Sequence, residues 1–142
     1  MLELTNIKGS LELKIFHKAK PMERICGNNL IVDLGKELLA KLLGGFSAEK
    51  IAFVGVGTNG TKAAGDNVSL TGQILIPVIQ ANVSGSSIVF RFNIDETMAN
   101  GIKIREFGLF GNKGTMFARR IREKALDKDH AMRIEGIWTI QF

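Results

Sequence analysis

A single cysteine, Cys26, stands among 142 residues, so no internal disulfide can form and nothing in the chain calls for an oxidising compartment. No apolar run approaches the roughly 20 residues of a membrane span, and Met1-Leu2-Glu3-Leu4-Thr5-Asn6 lacks the charged-then-apolar order of a secretion signal. Cytosolic synthesis without membrane insertion is the expectation. Tyrosine is missing and there is one tryptophan, Trp138, which falls on the inward positions of an alternating segment. A glycan site that stacks sugars on exposed aromatic rings has little to build with here.

The patterns of common catalysts are also missing. There is no GxSxG and no HExxH, and Cys26 with a distant histidine is too weak a pair for a nucleophile and base. His17 and His130 belong to no cluster of metal ligands. Gly55-Val56-Gly57-Thr58-Asn59-Gly60 satisfies GxGxxG after a strand, but a dinucleotide site needs a helix next, and Thr61-Lys62-Ala63-Ala64-Gly65-Asp66-Asn67 is too short and glycine-broken to make one. Gly60 precedes Thr61 where a phosphate loop needs lysine. The chain therefore reads as a non-enzyme with no cofactor and no metal.

Two prolines against sixteen glycines and nine phenylalanines point to turns joining short strands around a phenylalanine-rich core. Hydrophobic residues make up 45% and charged residues 23%, ordinary values for a folded domain. The length fits one domain. Nineteen Lys and Arg against fourteen Asp and Glu give +5, yet the charges are interspersed. Even the densest cluster, Arg119, Arg120, Arg122, Lys124 and Lys128, is diluted by Glu123, Asp127 and Asp129. This disfavours nucleic acid and suits solubility and interface complementarity.

Along the chain, Leu2 and Leu4, a turn at Lys8-Gly9-Ser10, and Leu11, Leu13 and Ile15 on one side of a strand predict an amino-terminal hairpin over about residues 2–20, a possible assembly arm. A second turn at Lys18-Ala19-Lys20-Pro21 leads to a short strand from Met22 to Ile25. Leu34, Leu38, Leu39 and Leu42 predict one amphipathic helix over about 33–43, capped by Asp33 and ended by Gly44-Gly45. Ile51 to Val56 reads as a strand, and Gly57 to Ser69 as a long flexible loop.

Gln73 to Val83 and Ser87 to Ile94 predict a hairpin about Ser84-Gly85-Ser86, with Ile88, Phe90, Phe92 and Ile94 on one face. Pro77 places its strand at an edge or bulge. Met132, Ile134, Gly136, Trp138, Ile140 and Phe142 share a face of a last strand, Ala131 to Phe142, and a terminus inside a strand fits a complete small domain. The expected fold is mainly β, an antiparallel sandwich-like single domain over 1–142 with one helix.

The densest signal is the stretch from Asn100 to Ile121, a hairpin about Gly111-Asn112-Lys113-Gly114. A four-residue loop sets Phe110 opposite Thr115, Gly108 opposite Phe117, Glu106 opposite Arg119 and Ile104 opposite Ile121. Glu106 and Arg119 then share a face with Ile104, Phe110, Phe117 and Ile121, so burial is expected. A register-fixing salt bridge is the first reading and an interface contact the second.

The run Asp95-Glu96-Thr97-Met98-Ala99-Asn100-Gly101, then Ile104-x-Glu106-x-Gly108-Leu109-Phe110 and Gly114-Thr115-Met116-x-Ala118-Arg119, resembles small tail, tail-fibre and baseplate-associated proteins of tailed bacteriophages and prophages. Asn29-Leu30-Ile31-Val32-Asp33-x-Gly35, Ile51-Ala52-x-Val54-Gly55-x-Gly57-Thr58 with Asp66 and Leu70, and Ile137-Trp138-Thr139-Ile140 are similar in order and spacing.

The resemblance implies a non-enzymatic virion structural protein: a tail, baseplate or fibre-attachment adaptor made in the host bacterial cytoplasm. Its partners would be copies of itself, in a homo-oligomer, and other tail or baseplate proteins. The exposed loop Gly57, Thr58, Asn59, Gly60, Thr61 and Lys62 is the candidate interface element, because loops ordered on contact suit assembly. A host-surface carbohydrate-binding β-sandwich is the alternative.

Overall fold

The computed structural model describes residues 7–142, so Leu2 and Leu4 of the expected amino-terminal hairpin lie outside the described residues. The elements in chain order are β1 (Lys8–His17), β2 (Lys20–Ile31), α1 (Asp33–Leu43), β3 (Ile51–Gly57), β4 (Ile74–Pro77), β5 (Gln80–Ser84), β6 (Ser87–Ile94), β7 (Lys103–Gly111), β8 (Met116–Asp127) and β9 (Met132–Gln141). The nine strands form one antiparallel sheet in the order β4-β3-β7-β8-β2-β1-β9-β6-β5. The sheet curls until its halves face each other, giving the mainly β, sandwich-like single domain with one helix that the sequence predicts.

Strand β2 is the hinge between the halves. Most of its length pairs with β1, while Leu30 and Ile31 pair with Arg119 and Ala118 of β8. The core between the halves is built by alternation: Leu11, Leu13 and Ile15 of β1, Phe90, Phe92 and Ile94 of β6, and Ile134, Trp138 and Ile140 of β9 meet Val54 and Val56 of β3 and Phe107 and Leu109 of β7. Each such side chain removed from water contributes about 1.5–3 kcal/mol. The ring of Phe92 lies flat on Gly136, its cross-strand partner, where any β-carbon would meet the ring.

Several local expectations are corrected. There is no turn at Lys8-Gly9-Ser10: β1 runs straight through it because Gly9 and Ser10 pair with both Ile140 and Thr139 of β9 and Asn29 and Asn28 of β2. The hairpin is β1 with β2, turning at Lys18 and Ala19, whose φ values of 50° and 64° are left-handed. The strand expected at Met22–Ile25 extends over Lys20–Ile31.

The arm expected from Gln73 to Val83 is two strands in opposite halves. Pro77 ends β4, and within two residues the Val78 N–H donates to the Ala52 carbonyl at 2.9 Å and the Ile79 N–H to the Arg91 carbonyl at 2.8 Å. A continuous apolar pattern hides this crossover. Phe142 is 47% exposed, beyond the end of β9, and does not share the buried face.

Helix α1 occupies the expected residues, but its N-cap is Val32, and Asp33 makes no side-chain capping bond. The Asp33 N–H donates instead to the Gly65 carbonyl at 2.8 Å. Gly45, at φ 77°, ends the helix in the left-handed region as expected. Gly35 lies against the Phe117 backbone, where a β-carbon has no room, so the helix sits directly on β8. Leu38 is buried and Leu34 and Leu39 are half-buried, whereas Leu42 is exposed.

Candidate functional site

Glu106 of β7 and Arg119 of β8 are 0% and 2% exposed, and Arg119 Nε donates to Glu106 Oε1 at 2.9 Å. They are not directly opposite. The observed register pairs Glu106 with Ile121, Gly108 with Arg119, Leu109 with Ala118 and Phe110 with Met116. Phe117 is an extra residue at a bulge, so the acid and base reach each other diagonally, a separation long side chains span. The bulge also sends Phe117 into the main core, where Ile104 lies, while Phe110 joins a second cluster with Val32, Leu70 and Met116. The shared face expected from a simple four-residue loop therefore does not form.

The pair does more than lock two strands. Glu106 Oε2 accepts the backbone N–H groups of Asn59, at 2.9 Å, and Thr71, at 2.8 Å. Arg119 Nη1 donates to the Thr61 carbonyl at 2.9 Å and to Asn67 Oδ1 at 3.1 Å, and Nη2 donates to the Asn59 carbonyl at 3.0 Å. One buried ion pair thus fixes both limbs of the long loop between β3 and β4. The loop is held from within by these bonds.

This arrangement explains the glycine motif. A β-carbon at Gly57 would lie 2.5 Å from Glu106 Oε2, and one at Gly55 would lie 2.7 Å from the Phe110 ring, which also covers Gly108. Gly55 and Gly57 are side-chain-free because a ring and a carboxylate pass over them, not because a phosphate does. Gly57 is buried within β3, so of the candidate interface residues only Thr58, Asn59, Gly60, Thr61 and Lys62 reach the surface. The backbone of Asn59 and Thr61 is committed to the ion pair.

Two further buried charges, overlooked in the sequence, act similarly. Glu49 Oε2 accepts the N–H groups of Lys113, at 3.2 Å, and Thr115, at 3.1 Å, and Oε1 accepts the Thr115 hydroxyl at 2.7 Å, which pins the β7–β8 turn. Lys128 Nζ donates to Asn100 Oδ1 at 2.9 Å and to the Asp129 carbonyl at 3.0 Å. Burial pushes its ammonium below the usual lysine range, opposed by the negative charges of Asp129, Asp95 and Glu96.

The basic cluster at the end of the chain is largely consumed in the same way. Arg120 Nη1 donates to the Asn28 carbonyl at 2.7 Å, and Arg122 Nη2 meets the Glu23 carboxylate at 3.2 and 3.3 Å. Arg119 and Lys128 are buried, so this cluster presents fewer free cations than its sequence suggests. His17 ends β1 and His130 lies in the turn before β9, Cys26 is exposed, and no group of three or more possible metal ligands occurs among the described residues. No helix among them is long and apolar enough to cross a membrane.

What the surface does offer is an apolar groove of about 590 Å³ between the two halves of the sheet, lined on one side by Leu38, Leu39 and Leu42 and on the other by Val83, Ile88 and Phe142. Val83 at 75% and Phe142 at 47% exposure stand among its lining residues. Trp138 is fully buried, so it presents no ring to a sugar. No protein-family model, curated protein or solved structure matches this chain.

Proposed function

We propose that this chain is a non-enzymatic virion structural protein of a tailed phage or prophage: a tail, baseplate or fibre-attachment component that works by protein–protein assembly. The open apolar groove and its exposed leucine, valine and phenylalanine rim carry the reading. Apolar surface of this kind, continuous with a cleft, fits contact with another protein. The motifs behind the phage-tail resemblance support it from another direction: Gly55, Gly57, Glu106, Gly108 and Arg119 converge on one buried framework that holds a small domain rigid. Copies of the chain itself and neighbouring tail proteins are the partners, and the assembled virion is the place of action.

The test is mass spectrometry of gradient-purified particles from an induced lysogen or infected host encoding the chain. Stoichiometric recovery with tail proteins is expected. Particles of full infectivity that lack the chain would remove the reading.

A further inference from the structure

We propose that β5 is the seam of a two-fold symmetric dimer, pairing antiparallel with β5 of a second copy of this chain so that the open flank beside the apolar groove is closed from both sides. The inference rests on the assembly reading above and names the surface through which the first assembly step occurs.

Strand β5 is the last in the sheet order and, among the described residues, pairs only with β6. All five of its residues, Gln80-Ala81-Asn82-Val83-Ser84, are exposed. Edge strands offer unpaired N–H and C=O groups, and monomeric proteins blunt them with proline, lysine, bulges or a covering element. The opposite edge, β4, ends in Pro77. Strand β5 carries neither proline nor charge.

The register that a second copy would adopt follows from the turn. Ser84 and Ser87 bracket the two-residue turn Gly85–Ser86, with Gly85 at φ 58°, and the pair closing such a turn is hydrogen-bonded. Alternation then directs Gln80, Asn82 and Ser84 toward β6 and turns the backbone groups of Ala81 and Val83 to the open edge. A two-fold axis through Asn82 sets Ala81 opposite Val83 of the second copy and the reverse, giving four backbone hydrogen bonds. Asn82 faces its own counterpart in a non-hydrogen-bonded pair, with Cα atoms about 4.5 Å apart. This is the self-complementary contact that a two-fold axis requires.

Area and charge agree with a second copy as the occupant. Ala81 and Val83 face inward, opposite Phe90 and Ile88, yet Val83 is 75% exposed because none of the described residues covers that flank. Leu42, Val83 and Phe142, at 38%, 75% and 47% exposure, together present roughly 240–320 Å² of apolar surface, taking about 150–200 Å² for a fully exposed large side chain. A stable interface takes about 800 Å² from each partner, somewhat more than half of it apolar, so these three side chains supply more than half of the apolar share. The only charges on the two β5–β6 hairpins are Arg91, beside Gln80, and its copy. They would lie about 14 Å apart along the ribbon, at roughly 3.4 Å per residue over four residues, which exceeds the screening length of about 8 Å.

The experiment is sedimentation velocity of the full chain from low to high micromolar concentration, combined with cysteine trapping. A species of twice the 15.6 kDa chain mass is expected, and Val83→Lys should weaken it at least about a hundredfold by setting like charges beside the axis. On a Cys26→Ser background, Asn82→Cys should oxidise rapidly to a covalent dimer, whereas Gln80→Cys, displaced from its own counterpart, should not.

A monomer at every concentration, or a dimer untouched by Val83→Lys with equal trapping at positions 80 and 82, overturns the proposal. Val83 is exposed, so an unchanged melting temperature will separate lost pairing from lost folding. Particles containing the chain alongside a monomer in solution would sink the β5 seam and leave the virion reading standing. The reverse pattern, a trapped dimer with chain-free infectious particles, would sink the virion reading alone.

Discussion

Replacing Glu106 by alanine tests the claim that one ion pair organises the loop between β3 and β4. The substitution leaves Arg119, 2% exposed, without its carboxylate and orphans the N–H groups of Asn59 and Thr71. Removing one partner of a buried pair costs about 3–5 kcal/mol. At about 3–5 °C per kcal/mol for a chain of this size, the melting temperature should fall by roughly 10–20 °C.

A second variant separates the clamp from an ordinary ion pair. Glu106→Leu with Arg119→Met supplies apolar residues of similar length, and such a swap at an isolated buried pair is neutral or stabilising. Here four loop groups lose their partner: the Asn59 N–H and carbonyl, the Thr71 N–H and the Thr61 carbonyl, while Asn67 Oδ1 keeps the Ala64 N–H. The double variant should therefore stay at least about 2 kcal/mol less stable than the parent, at the low end of about 1–3 kcal/mol per orphaned group. Amide exchange should accelerate selectively over residues 58–71. Urea unfolding followed by circular dichroism, with hydrogen exchange read by mass spectrometry, measures both. A double variant as stable as the parent, with residues 58–71 still protected, would refute the clamp.

Gly136→Ala drives a methyl group into the Phe92 ring at the centre of the core and should destabilise by about 1–3 kcal/mol or more, read as a lower urea midpoint with unchanged slope. Glu49→Ala removes three hydrogen bonds to the β7–β8 turn and should cost about 1–3 kcal/mol, with faster exchange at the Lys113 and Thr115 amides than elsewhere. Lys128 is depressed below its ordinary value of 10.5 in the folded chain. Between the two pKa values the unfolded chain therefore binds more protons, and stability rises with pH across that window. Urea midpoints measured up to pH 10.5 should show this rise in the parent and lose it in Lys128→Met.

The sequence marks elements wherever one face meets water and the other the core. Ile88, Phe90, Phe92 and Ile94 alternate cleanly, and Leu34, Leu38 and Leu42 recur at helical spacing, so β6 and α1 were legible. The split of β4 from β5 was not, because Ile74 to Ile79 is apolar throughout and the crossover depends on which carbonyls, Ala52 and Arg91, lie within reach of Val78 and Ile79. The β7–β8 register failed for a related reason. Gly111-Asn112-Lys113-Gly114 reads as a simple turn, and nothing local shows that Phe117 is needed in the core, which forces the bulge. Acid and base were found, but their loop partners 35 to 60 positions away were beyond any spacing argument.

The glycine-rich segment and the neutral edge strand show why motif and surface separate in this molecule. Gly55 and Gly57 attract notice because their pattern is shared with nucleotide sites, yet both are fixed by what crosses them: the Phe110 ring and the Glu106 carboxylate. Such constraints belong to the interior, where every substitution meets a neighbour. Gln80-Ala81-Asn82-Val83-Ser84 carries no such motif, and the structure explains why. Among the described residues its inner face meets no opposing layer, its edge meets no strand, and the devices that usually guard such an edge are missing. In a domain whose buried charges are spent on holding turns and loops, this unguarded strand is where free hydrogen-bonding capacity and exposed apolar surface coincide, so contact with another chain is to be sought there before the motifs.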